Sequence, residues 1–417
     1  MTDRPTTGAD SIGRRLTLIR EADFRRLWFI GGLGEAMRWL EIVAISIYVF
    51  DVTQSALTVA LVNFARGLPS LLFGPAMGSL AERVDRRLLM ILSAAIPMLT
   101  VLAIGLGAWL YEMPVWPLAV ASFLSGIAFT TELPVRRTMI GEAAGMERIA
   151  AGMGLDGITR QITRIIGPGL GGYLLREIGL AGAFLLAAVV YGLCTILSVR
   201  LTMTRPAGAG EQKQSLLATL IEGLQYVRTQ PALLAVLSVS LIGQMFIFPY
   251  MTLIAPIGKT ELALDAFAVG LLTSSEGVGA MSGALAVALW ARPAHFRAIY
   301  LVGAAMFAGG ILGFALAPSF ELALLVLFLG GLGLGGFSTM QTTLPYVTAR
   351  PDMRARMMGL IGVVFGIGLL GMLHIGFLAE WLGPVAAVAI SATEALILLA
   401  VVAFYWRRAA KTIASPP

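Results

Sequence analysis

The sequence predicts an all-α integral membrane protein: twelve transmembrane helices in two pseudo-symmetric six-helix bundles, with both termini cytoplasmic. Three observations predict it. The composition is that of a lipid-embedded chain, apolar runs of spanning length recur twelve times, and the second half of the chain faintly repeats the first.

Of 417 residues, 58% are hydrophobic and 13% charged, with mean hydropathy +0.85. Soluble domains carry about 45–50% apolar and about 25% charged residues, so this chain belongs in a bilayer. The single cysteine, Cys194, lies in the apolar run YGLCTIL, which excludes an internal disulfide framework and makes packing its expected role. One cysteine and two histidines leave no cluster for zinc or haem, so no metal or other cofactor is expected. The first 26 residues are polar and arginine-rich without a short apolar core, unlike a secretory signal peptide.

A spanning helix needs about 20 predominantly apolar residues. Such runs fall at 27–50, 56–77, 88–110, 114–135, 148–175 and 178–200, then at 232–256, 267–290, 298–317, 321–345, 353–379 and 384–406. The fifth is interrupted by charges. Lysine and arginine orient the set: 24 lie in the two tails, the middle linker and alternate loops, while the opposite loops hold only Arg176 and Lys259. By the positive-inside rule the basic side is cytoplasmic. The net charge of +6 therefore reports topology, and no nucleic-acid partner is expected. Four arginines, Arg38, Arg66, Arg160 and Arg164, remain inside the proposed spans.

The linker RPAGAGEQKQ (205–214) is soluble in character. After it Leu216, Leu217, Leu220, Ile221, Leu224 and Val227 share one helical face, as in a helix lying on the membrane surface and ending near Pro231. The expected organisation is a tail (1–26), an N-terminal bundle (27–200), a linker with its surface helix (201–231), a C-terminal bundle (232–406) and a tail (407–417). The halves echo each other. MERIAAGMGL (146–155) matches DMRARMMGL (352–360), and GYLLREIG (172–179) matches GFLAEWLG (376–383) at nearly the same offset. Such a repeat is the pattern of secondary transporters, whose substrate site lies between the halves.

Two motifs narrow the class. GSLAERVDRR (78–87) after the second span is a tight basic turn whose acids can pair with its arginines or cap a helix. It resembles the signature loop of the major facilitator superfamily, roughly G-x-L-A-D-R-x-G-R-R, at Gly78, Glu82, Arg83, Asp85, Arg86 and Arg87. Glu82 stands for its aspartate and Asp85 for its second glycine. The fifth span contains GPGLGG (167–172), where Pro168 removes a helix hydrogen bond and the glycines permit close backbone approach. Gly167, Pro168, Gly171 and Gly172 resemble the G-P-x-x-G-G motif of that superfamily's exporters, which implies antiport. The same glycines formally fit a dinucleotide fingerprint, but no strand precedes them. FRRLWFIGGLGEA, VFDVTQSALTVALVNFARGLPSLLFGP, EGLQYVRTQPAL and PDMRARMMGL together are similar to the enterobactin-exporter and macrolide-efflux branch. The resemblance implies the major facilitator fold over nearly the whole chain, in a bacterial inner membrane.

Charges inside the spans mark the candidate site. A charge near the bilayer centre costs about 3 kcal/mol or more, so it must face the bundle interior or a water-filled cavity. At about 100° per residue, Glu35, Arg38 and Glu41 cover roughly 120° of one helix face. Asn63, Arg66 and Ser70 fall within about 60°, and Asp156, Arg160 and Arg164 form a stripe about 80° wide. Glu35 can pair with Arg38, Asp156 with Arg160, and Arg66 with either glutamate of the first span. The second half offers Glu276 in mid-span, with Gln244, Gln341, His374 and Glu394 elsewhere. GQMFIFPYM (243–251), including Phe248, is expected to give the cavity a methionine and aromatic wall. Glu132 with Arg136 and Arg137 reads as an ordinary boundary cluster at the membrane edge.

The leading expectation is a proton-coupled exporter of a small amphiphilic or anionic compound, such as a siderophore or drug, working by alternating access as a monomer. Glu35 is the first candidate for the coupling acid, Asp156 the second and Glu276 the third, because burial and a neighbouring arginine pull a carboxyl's affinity for protons in opposite directions. Import or lysophospholipid flipping on the same scaffold is the alternative, and a non-transporting receptor the alternative of another class. No Walker loop, H-E-x-x-H or Cys–His constellation points to an enzyme.

Overall fold

The computed structural model describes residues 17–145, 148–202 and 216–414, with the backbone alone at 17, 74–83, 216–220, 355 and 407–414. Its regular structure is helical throughout. The first half comprises α1 (Ala22–Thr53), α2 (Ala56–Arg83), α3 (Arg86–Leu110), α4 (Val115–Ala144) and α5 (Ile149–Val199). A short helix α6 (Leu216–Arg228) precedes α7 (Pro231–Ile242), α8 (Ile254–Thr260), α9 (Ala266–Trp290), α10 (Phe296–Ala315), α11 (Phe320–Thr348), α12 (Arg354–Leu382) and α13 (Pro384–Ala414). Among the described residues, nine helical segments are long and apolar enough to cross a membrane. Two further long helices fall short of that criterion. α1 carries Glu35, Arg38 and Glu41, and α9 carries Ser274, Ser275 and Glu276 among small residues.

Local chemistry sets the helix ends. Gln54 terminates α1 in the left-handed region at φ 53°. Asp85 caps α3, its carboxylate accepting from the amides of Arg87 at 2.7 Å and Leu88 at 3.3 Å. The fifth and sixth expected spans are two helices that follow each other directly within 149–199 and meet at Gly179, whose φ of 66° and ψ of −177° are not helical. A residue with a Cβ would be strained in that conformation. The seventh span is less regular than periodicity suggests. After α7 the chain passes through a π-helical turn (Gly243–Ile247) and a 3-10 turn (Phe248–Leu253) before resuming as α8.

Each half has its own core. In the first, Leu40, Val49, Phe184 and Tyr191 pack with Leu118 and Ile104, and a second cluster joins Phe24, Leu27, Met90 and Met139. In the second, Tyr250, Tyr300, Phe307, Phe314 and Phe337 form an aromatic core. Glycines bring α9 against α11: a Cβ on Gly279 would lie 2.1 Å from the Phe328 carbonyl oxygen, and one on Gly331 would lie 2.3 Å from that of Glu276. With no hydrophobic drive between helices in lipid, such close approach is what van der Waals packing requires. Of the expected surface-helix stripe, Leu216, Leu217 and Leu220 lie outside the described side chains. Val227 is buried, while Ile221 and Leu224 are exposed.

The halves meet along α5–α9 and α2–α12. The GPGLGG segment makes the first seam. A Cβ on Gly172 would sit 2.1 Å from the Ala266 carbonyl oxygen, and one on Gly270 would sit 2.3 Å from that of Pro168. Gly169 also faces α9, its amide donating to Ser274 Oγ at 3.2 Å, while Gly171 and Gly167 face α1 against Leu40 and Trp39. The close approach expected from the motif is therefore present on two sides.

Candidate functional site

A cavity of about 340 Å³ lies between the halves. Arg38, Trp39, Asn63, Arg66, Ser70 and Phe129 line it from the first half; Met251, Thr252, Ile254, Val269, Thr273 and Met372 line it from the second. One wall is cationic and polar, the other largely apolar. The charged stripes of α1 and α2 thus face an internal space, as their cost in lipid demands.

Behind this wall the charges resolve into separate networks. Glu41, 1% exposed, accepts from Tyr191 Oη at 2.6 Å and Ser125 Oγ at 2.9 Å, with Arg66 Nη1 at 3.4 Å. Arg66 thus sits with Glu41, whereas Glu35 pairs with Arg38 one turn away. The Arg38 guanidinium lies 3.7 Å from the centre of the Phe129 ring. Asn63 donates to Ser46 Oγ at 3.1 Å.

A third network corrects the boundary reading of Arg136. Its side chain is 1% exposed and held by both Glu132 and Asp156, with Gly31 leaving the space it fills. Arg160 lies farther from Asp156, at 3.4 Å. The expected Asp156–Arg160 pair is therefore secondary, and Arg136 joins Arg38, Arg66, Arg160 and Arg164 among the arginines paired within the helix bundle. The i, i+4 spacing of Glu132 and Arg136 was the available signal. Their position beside Arg137 near a helix end points instead to a boundary cluster. Tyr191 and Ser125 had no sequence signal, since a hydroxyl's partner depends on which helices meet.

The fourth network joins the halves. Arg164 of α5 reaches Glu276 of α9 at 2.6 Å, and Tyr250 donates to the other oxygen of the same carboxylate. Glu276 is 1% exposed. Further along the seam Arg176 pairs with Asp265 at 3.0 Å and Lys259 with Asp51 at 3.1 Å, while Ser55 donates to Glu380 at 3.2 Å. The amide of Ala268 and the Arg176 guanidinium together hold the Asp265 carboxyl below the usual carboxylate range.

Other candidates lie apart. Phe248 packs on Phe307 and Phe337, and Tyr250 on Phe307 and Phe314, so the aromatic residues of 243–251 turn into the core and leave Met251 in the cavity. The change from π- to 3-10 geometry explains this rotation. Gln244 is buried against Gly368 of α12, and Gln341 is buried in α11. His374 and Glu394 pair at 3.0 Å between α12 and α13. Of the basic loop, Gly78, Glu82 and Arg83 lie outside the described side chains. Asp85 caps α3, Arg86 pairs with Glu142, and Arg87 donates to the Val199 carbonyl oxygen. Among the described residues, no cluster of histidine, cysteine and acidic side chains could hold a metal ion.

Residues 15–415 match the family model described as transmembrane secretion effector. The chain is 26% identical to the multidrug efflux pump Tap of Mycolicibacterium fortuitum over 88% of its own length and 92% of that protein. It is 25% identical to macrolide efflux protein A of Streptococcus pyogenes over 82% and 85%, respectively. In fold it is similar to the nucleoside transporter NupG, with TM-score 0.70 and 15% identity over 92% of this chain and 98% of that one. It is similar also to a bacterial homologue of the lysosomal transporter Spinster in an inward-facing, unoccupied conformation. There the TM-score is 0.69 at 16% identity, over 97% of this chain and 99% of that one.

Proposed function

The chain belongs to the transmembrane secretion effector family of major facilitator transporters, and from that premise we propose that it is a proton-coupled exporter of small amphiphilic compounds. It is a multi-pass membrane transporter whose relatives are efflux pumps. Twelve crossings follow if α5 is counted twice at Gly179 and the charged helices α1 and α9 are included, both being enclosed by neighbours. With the basic loops inside, both termini are cytoplasmic, the membrane is the bacterial plasma membrane, and the Arg176–Asp265 end of the seam faces outward. Among the described residues, the inter-half ion pairs gather toward that end. This supports a conformation closed outside and open to the cytoplasm.

The observation that carries the proposal is the divided wall of the central cavity. Arg38 and Arg66 offer anion-binding groups, and Met251, Ile254 and Met372 offer an adaptable apolar surface. An amphiphile or organic anion fits both. Glu35 is the coupling acid of choice, because its arginine partner lines the cavity, where proton and substrate compete for the Glu35–Arg38 pair. Glu276 is the second candidate, since its protonation would loosen the inter-half pair with Arg164. Asp156 is the weakest of the three, held inside the first half by Arg136.

The test is collapse of a pH gradient in inside-out vesicles on addition of macrolides, siderophores or dyes. Glu35→Gln is expected to abolish accumulation against a gradient while sparing exchange, and normal accumulation by that variant removes Glu35 from the role. A second reading has its own observation. A groove of about 550 Å³ between α5 and α9, lined by Ile166, Leu170, Tyr173 and Leu271, opens laterally and suits an acyl chain. Lysophospholipid in the same assay tests flipping.

A further inference from the structure

A second, much smaller chamber lies inside the first half. It measures about 50 Å³ and is lined by Glu35, Glu132, Ser93, Ser125, Tyr191 and Cys194, together with Arg38 and Phe129. A cavity needs about 10–15 Å³ of such space to hold one water and two to four polar partners for it, and here both conditions are met. The chamber has room for a few waters among two carboxylates and three hydroxyls.

Its walls are the ends of the networks described above. Ser125 and Tyr191 are the donors to Glu41. Glu132 is a partner of Arg136, whose other partner is Asp156. Glu35 is the partner of Arg38. Arg38 and Phe129 line this chamber and the central cavity alike, so their stacked contact is the partition between them. Arg38 Nε is buried there without a hydrogen-bond partner, a donor that a chamber water would satisfy.

We propose that this chamber is a hydrated proton compartment, separate from the substrate cavity, and that the Arg38–Phe129 contact is the gate through which the two communicate. The inference rests on the coupling reading above. A proton on the Glu132 carboxyl passes through chamber water to the Glu35 carboxylate, leaving Glu132 ionised beside Arg136 and Glu35 neutral. Proton and substrate thereby act on one ion pair, Glu35–Arg38, from opposite sides of the partition. The charged groups bearing on the transfer are Arg38 on α1, Glu132, Arg136 and Arg137 on α4, and Asp156 and Arg160 on α5. Glu41 and Arg66 lie beyond Ser125 and Tyr191, and α3 contributes the hydroxyl of Ser93.

Two measurements test this on the full chain. The first is radiolytic hydroxyl-radical footprinting of the unmodified protein in detergent, in which buried water oxidises the side chains beside it. Tyr191 is expected to be oxidised at least ten-fold faster than Tyr300, which is also buried but stacked on Phe337. Equal rates overturn the chamber's hydration. The second is transport by Ser93→Leu, which fills the chamber without replacing an ionisable group. It is expected to keep substrate exchange and lose pH-driven accumulation at least ten-fold. Accumulation at the unmodified rate overturns the proton role even in a hydrated chamber. Should the unmodified protein move no substrate against a pH gradient, the coupling reading itself fails and takes this role with it. A coupled protein indifferent to Ser93→Leu fails this inference alone.

Discussion

At the scale of single residues, the most consequential side chain is Arg136. Burying a guanidinium costs several kcal/mol unless acids surround it, and here Glu132 and Asp156 do so while Gly31 leaves it room. Removing one partner from such a cluster costs about 3 kcal/mol. Asp156→Asn is expected to lower the thermal midpoint in detergent accordingly, followed by tryptophan fluorescence. Adding Arg136→Met to it should recover part of the loss, because the orphaned charge is then gone. An Asp156→Asn protein as stable as the parent would mean that Arg136 reaches water. The sequence showed a carboxylate and an arginine four residues apart, but not that a helix from 24 residues later would close over them. Burial of a charge is a property of the neighbours and not of the residue.

At the scale of elements, GPGLGG serves two interfaces with one helix face each. Gly171 lies against the Leu40 backbone within the first half, and Gly172 lies against Ala266 across the seam. Alanine at the two positions should therefore act differently. Gly171→Ala is expected to lower stability without biasing the conformation. Gly172→Ala wedges the halves apart at a backbone carbonyl that cannot yield, and should shift the population toward the outward-open state. Spin labels at 178 and 261, in a Cys194→Ser background, would read the longer distance. Identical behaviour of the two variants would separate the motif from the conformational cycle. That glycines here meant close packing was legible from the sequence, since small residues in an apolar helix serve little else. Which glycine met which helix was not.

At the scale of the whole molecule, the seam is held at one end by exposed ion pairs over a buried one. Exposed pairs contribute little each and weaken with salt, so the closed end is poised to open. Replacing Asp51 and Asp265 together by asparagine is expected to shift the balance toward the outward-open state by no more than about ten-fold. A larger shift would mean these pairs, not Arg164–Glu276, hold the seam. The pH dependence has a definite sign. The Asp265 carboxyl is held below its ordinary range, so its contribution is complete above the unfolded carboxylate value near 4. It is lost as pH falls through the lower folded value. The Arg176–Asp265 pair itself should therefore persist from about pH 5 to 8 and weaken only in stronger acid, below about pH 4, so a change of the 178–261 distance near neutral pH belongs to a coupling carboxyl instead.

The sequence by itself determined the membrane environment and the all-helical fold class. Apolar length, the asymmetry of arginine between loops and the internal repeat depend on one-dimensional quantities: how many residues avoid water, and on which side the charges fall. It also determined that α1, α2 and α5 must face something other than lipid. Only the tertiary structure decided which charges meet. It put Arg66 with Glu41, Arg136 with Asp156 and Arg164 with Glu276, turned the aromatic residues of 243–251 into a core, and left a small cavity bordered by carboxylates and hydroxyls beside the large one. Those outcomes depend on where separate helices touch and on how a π-helical turn rotates the residues after it. Helical periodicity fixes the angle of a side chain on its own helix, but not the partner that waits there.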